Sequence, residues 1–202
     1  MKIDAHQHFW RHDPAIHTWM DEKMQLLRQD FLPDQLLPLL QAEGIDGCIA
    51  VQADSSGREN DFLLGLAADH PWILGVVGWV DLQSDQLESQ LEQLCQHSRA
   101  VGVRHIVQDE PDDRFLDGAA FRRGVSTLAA RKLTFDLLIY ERQRPAAIDF
   151  VRALPDVPMV LDHIAKPRIA DALLEPWSSQ IRELALAPNL MCKLSGIVTE
   201  AN

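Results

Sequence analysis

The sequence predicts an α/β fold of the (β/α)8, TIM-type barrel class, in one domain over residues 1–202 that is incomplete at its C-terminal end. Three observations predict it. Seven apolar, β-branched runs alternate with stretches of helical spacing, the pattern of a parallel sheet clad in helices. The turn after the first run reads H-Q-H-F-W, without the glycines that open a dinucleotide-binding open sheet. Ionisable residues gather at the C-terminal ends of the runs, where a barrel carries its active site.

The runs are Ile3 to Phe9, Ile45 to Ala53, Ile73 to Leu82, Ala100 to Val107, Leu133 to Tyr140, Val157 to Ile164 and Leu190 to Val198. Between the first two, Leu32 to Gly44 predicts a short helix that Pro38 interrupts and Gly44 ends. Phe62, Leu63, Leu66 and Ala67 share a helical face that closes at Pro71. Ser84 is placed to cap a helix with Leu87, Leu91, Leu94 and Cys95 turned inward. Phe121, Val125 and Leu128 form the next stripe. Pro145 suits a first helical turn with Ile148 and Val151 inward. Trp177, Ile181 and Leu184 follow Pro176 as the last stripe. A barrel needs eight strands and about 250 residues. Seven runs in 202 residues therefore predict a piece of a longer chain, with two bare sheet edges.

Hydrophobic residues make up 47% of the chain, enough for a substantial core. The formal net charge of −11, with no basic stripe, excludes nucleic acid and anionic membrane as partners and favours a neutral small molecule. Three widely spaced cysteines among apolar neighbours predict buried thiols in a reducing compartment, and the protein reads as soluble and cytoplasmic. The oligomeric state is not encoded in any pattern found here. There is no G-x-S-x-G elbow, C-x-x-C pair, P-loop or H-E-x-x-H, which argues against a serine hydrolase, a nucleotide enzyme or a zincin.

At the first strand end, His6 and His8 are two residues apart, so both side chains face one way. Such a pair can share a divalent metal or polarise one carbonyl oxygen. Equally, it can be two satisfied histidines near a terminus. The fourth end carries Arg104 and His105, then Gln108, Asp109 and Glu110. Arg104 can fork onto a substrate oxygen or sit in a structural ion pair with Asp109, Glu110 or Asp162. Glu110 is a metal ligand or a solvated charge. Tyr140, at the fifth end, is a hydroxyl partner or a half-buried core residue. The sixth end carries Asp162, His163 and Lys166. With His163 facing the mouth, strand alternation turns Asp162 toward the helices and away from substrate, where it can anchor a neighbouring strand or loop. Lys166 is a binding residue or a surface lysine. The seventh end carries Lys193 and Ser195. Trp10 and Trp19 lie in the first loop, where Trp10 can wall a sugar-sized pocket.

The segments I-D-A-H-Q-H-F-W, G-V-R-H-I-V-Q-D-E, V-L-D-H-I-A-K-P and C-K-L-S-G, in this order, resemble the lactonase branch of the amidohydrolase superfamily, in particular the L-fucono-lactonase-like sugar lactone hydrolases. The resemblance runs through essentially the whole chain. It implies a distorted barrel and hydrolysis of a lactone ester to an aldonic acid. It also implies catalytic roles for His6, His8 and His163, and substrate contacts for Arg104, His105 and Lys166. Members differ on metal: some bind a divalent ion such as zinc, and others work without one. Relatives continue into a further strand ending like G-S-D-W-P, whose aspartate is expected to activate water. No S-D-W-P occurs in this chain, which ends T-E-A-N. Two other functions compete. One is a metal-dependent hydrolase or decarboxylase of an aromatic or dicarboxylic acid on the same barrel. The other is a non-catalytic sugar-binding or degenerate barrel fragment.

Overall fold

A computed structural model describes residues 1–201; Asn202, the end of the T-E-A-N segment, lies outside the described residues. Seven strands form one sheet: β1 (Ile3–Gln7), β2 (Gly47–Val51), β3 (Ile73–Gly78), β4 (Ala100–His105), β5 (Thr134–Leu137), β6 (Met159–Leu161) and β7 (Leu190–Cys192). They pair in parallel and in strict sequence order, β1 through β7. An open doubly wound sheet would reverse its strand order at a switch point; this one never does. The helices are α1 (Pro33–Ala42), α2 (Gly57–Asp69), α3 (Leu87–Cys95), α4 (Ala119–Ser126), α5 (Arg144–Ala153), α6 (Trp177–Leu184) and α7 (Ile197–Glu200).

The sheet curls. In a flat sheet, β1 and β6 would stand about 24 Å apart, five spacings of about 4.8 Å. Instead the ring of His6, on β1, lies 4.4 Å from the ring of His163, just past β6. The seven strands are thus an arc of a barrel, as predicted, with their C-terminal ends converging on one mouth.

The core lies between the sheet and its helices. Leu63, Ile73, Leu91, Phe121, Phe135 and Phe150 are closed to solvent. Phe135 of β5 packs edge-on against Phe121 of α4 and Phe150 of α5, with ring centroids 5.9 and 5.8 Å away. Burying each such side chain contributes roughly 1.5–3 kcal/mol before the loss of chain entropy is subtracted. None of the described helices is long and apolar enough to cross a membrane.

Several local expectations change. Pro38 does not break α1, which runs through it; the helix ends at Ala42, and Gly44 follows at φ +63°. There the amides of Gly44 and Ile45 close the last turn onto Gln41 and Leu40 carbonyls. Ser84 caps no helix: its hydroxyl accepts from the Gln86 amide in the turn before α3. Of the three thiols only Cys48 is buried. Cys95 closes α3 at its exposed end and Cys192 lies on the outermost strand β7, so both face solvent.

Candidate active site

The strand ends place His6, His8, Arg104, Asp136, Asp162, His163 and Lys193 around one point. Arg104 and Asp136 are register partners on β4 and β5, so both point into the arc. Asp162 follows β6 directly and His6 lies on β1.

Arg104 is buried, 3% exposed. Its guanidinium donates to Asp162 Oδ2 (3.2 Å), His6 Nε2 (3.3 Å), Gln52 Oε1 (3.2 Å) and the Gln52 carbonyl. The Lys193 ammonium pairs with Asp136 and lies 3.1 Å from Asp162 Oδ1. Two buried cations thus face two buried carboxylates, which holds the group near neutrality. Asp162 Oδ1 has Lys193 and, at 3.3 Å, His6 Nδ1 within ion-pair distance, yet neither approaches along a hydrogen-bonding direction.

These contacts assign the histidine tautomers. His8 Nδ1 donates to the Val51 carbonyl at 2.8 Å, so His8 Nε2 carries a lone pair. Arginine only donates, so the Arg104 contact puts a lone pair on His6 Nε2 too, while His6 Nδ1 lies 3.3 Å from Asp162 Oδ1 and 3.5 Å from Lys193 Nζ. The two Nε2 atoms are 3.0 Å apart. Facing lone pairs at that separation repel unless a cation lies between them, and two nitrogens on one divalent ion, each about 2.0–2.1 Å from it, stand near this distance. Burial lowers the pKa of His6 despite Asp162, drives His8 well below the usual range, and takes His163 to about 4. All three are therefore neutral at pH 7, as metal ligation requires. Burial alone would raise the Asp162 carboxyl; the adjoining His6 ring and the charges of Arg104 and Lys193 instead hold it far below the usual range. Burial and the Asp162 charge push Asp136 upward, against the pull of Lys193. Among the described residues, the donors His6, Asp162 and His163 lie within 4.8 Å of one another. The residues present fit a divalent cation.

The other predicted residues are arranged differently. His163 Nδ1 meets Ser195 Oγ at 2.9 Å. Lys166 Nζ donates to Gln108 Oε1 (2.7 Å) and sits 4.3 Å above the half-exposed Tyr140 ring. Tyr140, Lys166 and Gln108 therefore form one shelf. His105 is not brought to the cluster. As the neighbour of Arg104 it points the other way, where its Nε2 meets Glu110 Oε1 at 2.6 Å and its ring stacks on Phe115. That contact also keeps Glu110 from the histidines. Trp10 is 7% exposed and hydrogen-bonds the Gln29 carbonyl at 2.8 Å, sealing the first loop against Phe31 and Trp19. A cavity of about 640 Å³ runs inside the arc past His6, Asp136, Lys193 and Ser195.

Asp162 is the main correction. Strand alternation turned it toward the helices, but β6 ends at Leu161, so alternation no longer applies at Asp162. Asp136 and Gln52 were missed. The signal for Asp136 was a carboxylate inside the apolar run L-T-F-D-L-L-I. Gln52, closing an equally apolar run, carried a weaker one.

The amidohydrolase family profile matches residues 3–202. An L-fucono-1,5-lactonase of Burkholderia multivorans is 43% identical over 208 residues, spanning all of this chain and 70% of that protein. An L-fucono-1,5-lactonase of Burkholderia ambifaria is 36% identical, over 99% of this chain and 69% of its own. A crystal structure of an amidohydrolase from Burkholderia multivorans with bound zinc superposes with a TM-score of 0.96 at 43% identity, covering all of this chain and 72% of that one.

Proposed function

The chain belongs to the amidohydrolase family, and on that premise we propose that it hydrolyses a sugar lactone of the L-fucono-1,5-lactone kind to the aldonic acid. The observation that carries this reading is the convergence of three neutral imidazoles on the Asp162–Arg104 pair at the mouth of the arc.

Hydrolysis adds water across the ring ester. Water oxygen bonds to the carbonyl carbon and the ring C–O bond breaks. One water proton passes to the leaving ring oxygen, and the other is released when the acid product ionises. Negative charge builds on the carbonyl oxygen in between, and groups fixed in advance around that oxygen stabilise it. His163 takes this role; His6 and His8, whose Nε2 atoms present lone pairs, serve it only through the cation they would hold. Arg104, already committed to Asp162, His6 and Gln52, orients them instead of gripping substrate. Lys166 and Tyr140, with Gln108, hold the sugar hydroxyls and the ring oxygen. His6, His8, His163 and Asp162 are the residues that would hold a divalent cation, zinc being the one supported by the related crystal structure. Such an ion, when bound, supplies Lewis acidity toward the carbonyl oxygen. The unpaired cysteines support a reducing compartment, the cytoplasm.

A carboxylated aromatic substrate fits less well, because the arginine at the strand ends that would grip its carboxylate already donates to protein acceptors. The test is a pH-indicator hydrolysis assay on a panel of sugar lactones, with wild type beside His6→Ala and His163→Ala. One deoxy-sugar lactone should turn over well above the rest, and both variants should lose that turnover. A panel that wild type leaves intact would sink the reading.

A further inference from the structure

Between β6 and α6 the backbone does something L-residues avoid. His163, Ile164, Ala165 and Lys166 all have positive φ, at 52°, 48°, 54° and 47°. None is glycine, and Ile164 is β-branched, for which this region is a genuine outlier. Together they make one left-handed turn, closed by the Lys166 amide donating to the His163 carbonyl at 2.9 Å. Left-handed helical geometry drives Cβ toward the following carbonyl oxygen, so single residues adopt it far more often than runs do. Such a segment persists only where its surroundings over-determine it, and it clusters at functional sites.

The turn has a consequence for the site. Residues three apart in a tight turn share a side, so His163 and Lys166 leave it together. One ring lies against His6, 4.4 Å between centroids, and the ammonium lies over Tyr140 and on Gln108. A right-handed turn of the same four residues would send these side chains elsewhere. Three contacts hold the turn. The Ile164 amide donates to the Lys193 carbonyl (3.2 Å), Ser195 Oγ meets His163 Nδ1 (2.9 Å), and the Trp177 indole N–H donates to the Ile164 carbonyl (2.7 Å). The first two come from the loop after β7. Trp177 comes from a different element, as the first residue of α6, and meets neither His163 nor Lys166 in any hydrogen bond of its own.

We propose that Trp177 is a positioning residue for the reaction: its indole N–H pins the left-handed His163–Lys166 turn, which sets the carbonyl-polarising imidazole and the substrate-holding ammonium in register. The inference rests on the lactonase reading given above. Trp177 touches no substrate. It acts through the Ile164 carbonyl, and its loss lets the turn relax toward ordinary dihedrals.

The test is Trp177→Phe, which keeps a ring and removes the donor, alone and combined with Ala165→Gly. Glycine enters the left-handed region without steric cost, so it should restore what the lost N–H gave up. Trp177→Phe is expected to lower kcat and raise KM together, with kcat/KM down about tenfold or more, as a small misplacement of reacting groups does. The double variant should recover most of that loss. The imidazole ¹⁵N resonances of His163 should shift in Trp177→Phe and return in the double variant. Wild-type kinetics in Trp177→Phe would overturn the proposal. So would a loss that Ala165→Gly does not restore, which would mean that Trp177 acts through packing alone. If Trp177→Phe does not fold, benzothienylalanine at position 177 replaces the N–H by sulfur at nearly constant shape, with the same criteria. If wild type turns over no lactone, the lactonase reading fails by itself. The ¹⁵N resonances then decide the turn: displaced and restored supports it, and unmoved overturns it.

Discussion

His6 Nδ1 and Asp162 Oδ1 face each other across 3.3 Å, with side chains 4% and 0% exposed, although the two residues stand at opposite limbs of the arc. This contact ties the first strand to the end of the sixth. It makes Asp162 the hub on which Arg104, Lys193 and His6 all depend.

Asp162→Asn should therefore be severe. The amide keeps the shape and removes the charge, leaving Arg104 and Lys193 buried with Asp136 as the remaining carboxylate of the group. Breaking one partner of a buried ionic group costs about 3–5 kcal/mol. Urea unfolding should show a loss of that order, and lactone turnover should fall with it. A stability change under about 1 kcal/mol would mean that water already screens the group.

Glu59 offers a test of pH dependence beside the cluster, within reach of the Arg104 charge. It is 8% exposed, accepts the Ala53 amide at 2.9 Å, and burial lifts its carboxyl from 4.5 to about 7. Between those values the folded state keeps a proton that the unfolded chain has released. Stability from this group thus falls as pH rises through the window; the penalty is absent below about 4.5 and complete above about 7. Glu59→Gln, which keeps an acceptor for Ala53, should gain on the order of 2–3 kcal/mol at pH 8 and almost nothing at pH 4. Denaturation midpoints at both pH values measure this. An equal gain at the two would assign the effect to packing.

The fold was legible because its signals are local and repeated. Every strand lies inside one of the seven predicted runs, and Gly44 and Pro145 sit at the helix end and start their chemistry favours. The His6 and His8 pairing followed from period two, which here holds for one residue past Gln7, the end of β1. What failed was inference past a strand end. Asp162 and His163 follow a three-residue strand, and the left-handed turn that comes next sends adjacent side chains to places no periodicity describes. His105 and Glu110 carry the right chemistry for a site, but their mutual contact satisfies them outside it. Asp136 and Lys193 matter through each other, and a pair that is 57 residues apart leaves no trace in either neighbourhood.

The metal set makes a discriminating prediction. Zinc should bind the chain through the paired lone pairs of His6 and His8, with His163 and Asp162 close by. Titration calorimetry should show His163→Ala losing about tenfold or more in affinity. Glu110→Gln should bind as wild type does, because Glu110 is held by His105. Weakened binding in Glu110→Gln would return that residue to the ligand set. Stripping the ion with a chelator and restoring it then separates its share of turnover from that of the imidazoles.

Two glycines separate backbone strain from damage to the site. Gly196 and Gly44 both have positive φ, +68° and +63°. Alanine at either position should cost about 1 kcal/mol or somewhat more for left-handed geometry. Their surroundings differ. A methyl at Gly44 meets nothing within 4 Å, whereas one at Gly196 would stand 2.8 Å from the Cβ, Cγ and Nδ1 of His163. Those atoms are near backbone and cannot swing away as a chain tip would, so the imidazole must shift and its bond to Ser195 must lengthen. Gly44→Ala should lower the unfolding midpoint and leave kcat alone. Gly196→Ala should lower the midpoint at least as much and cut kcat about tenfold or more. Equal kcat in the two variants would show that the His163 ring can move without cost to the chemistry, and would remove it from the group that stabilises the carbonyl oxygen.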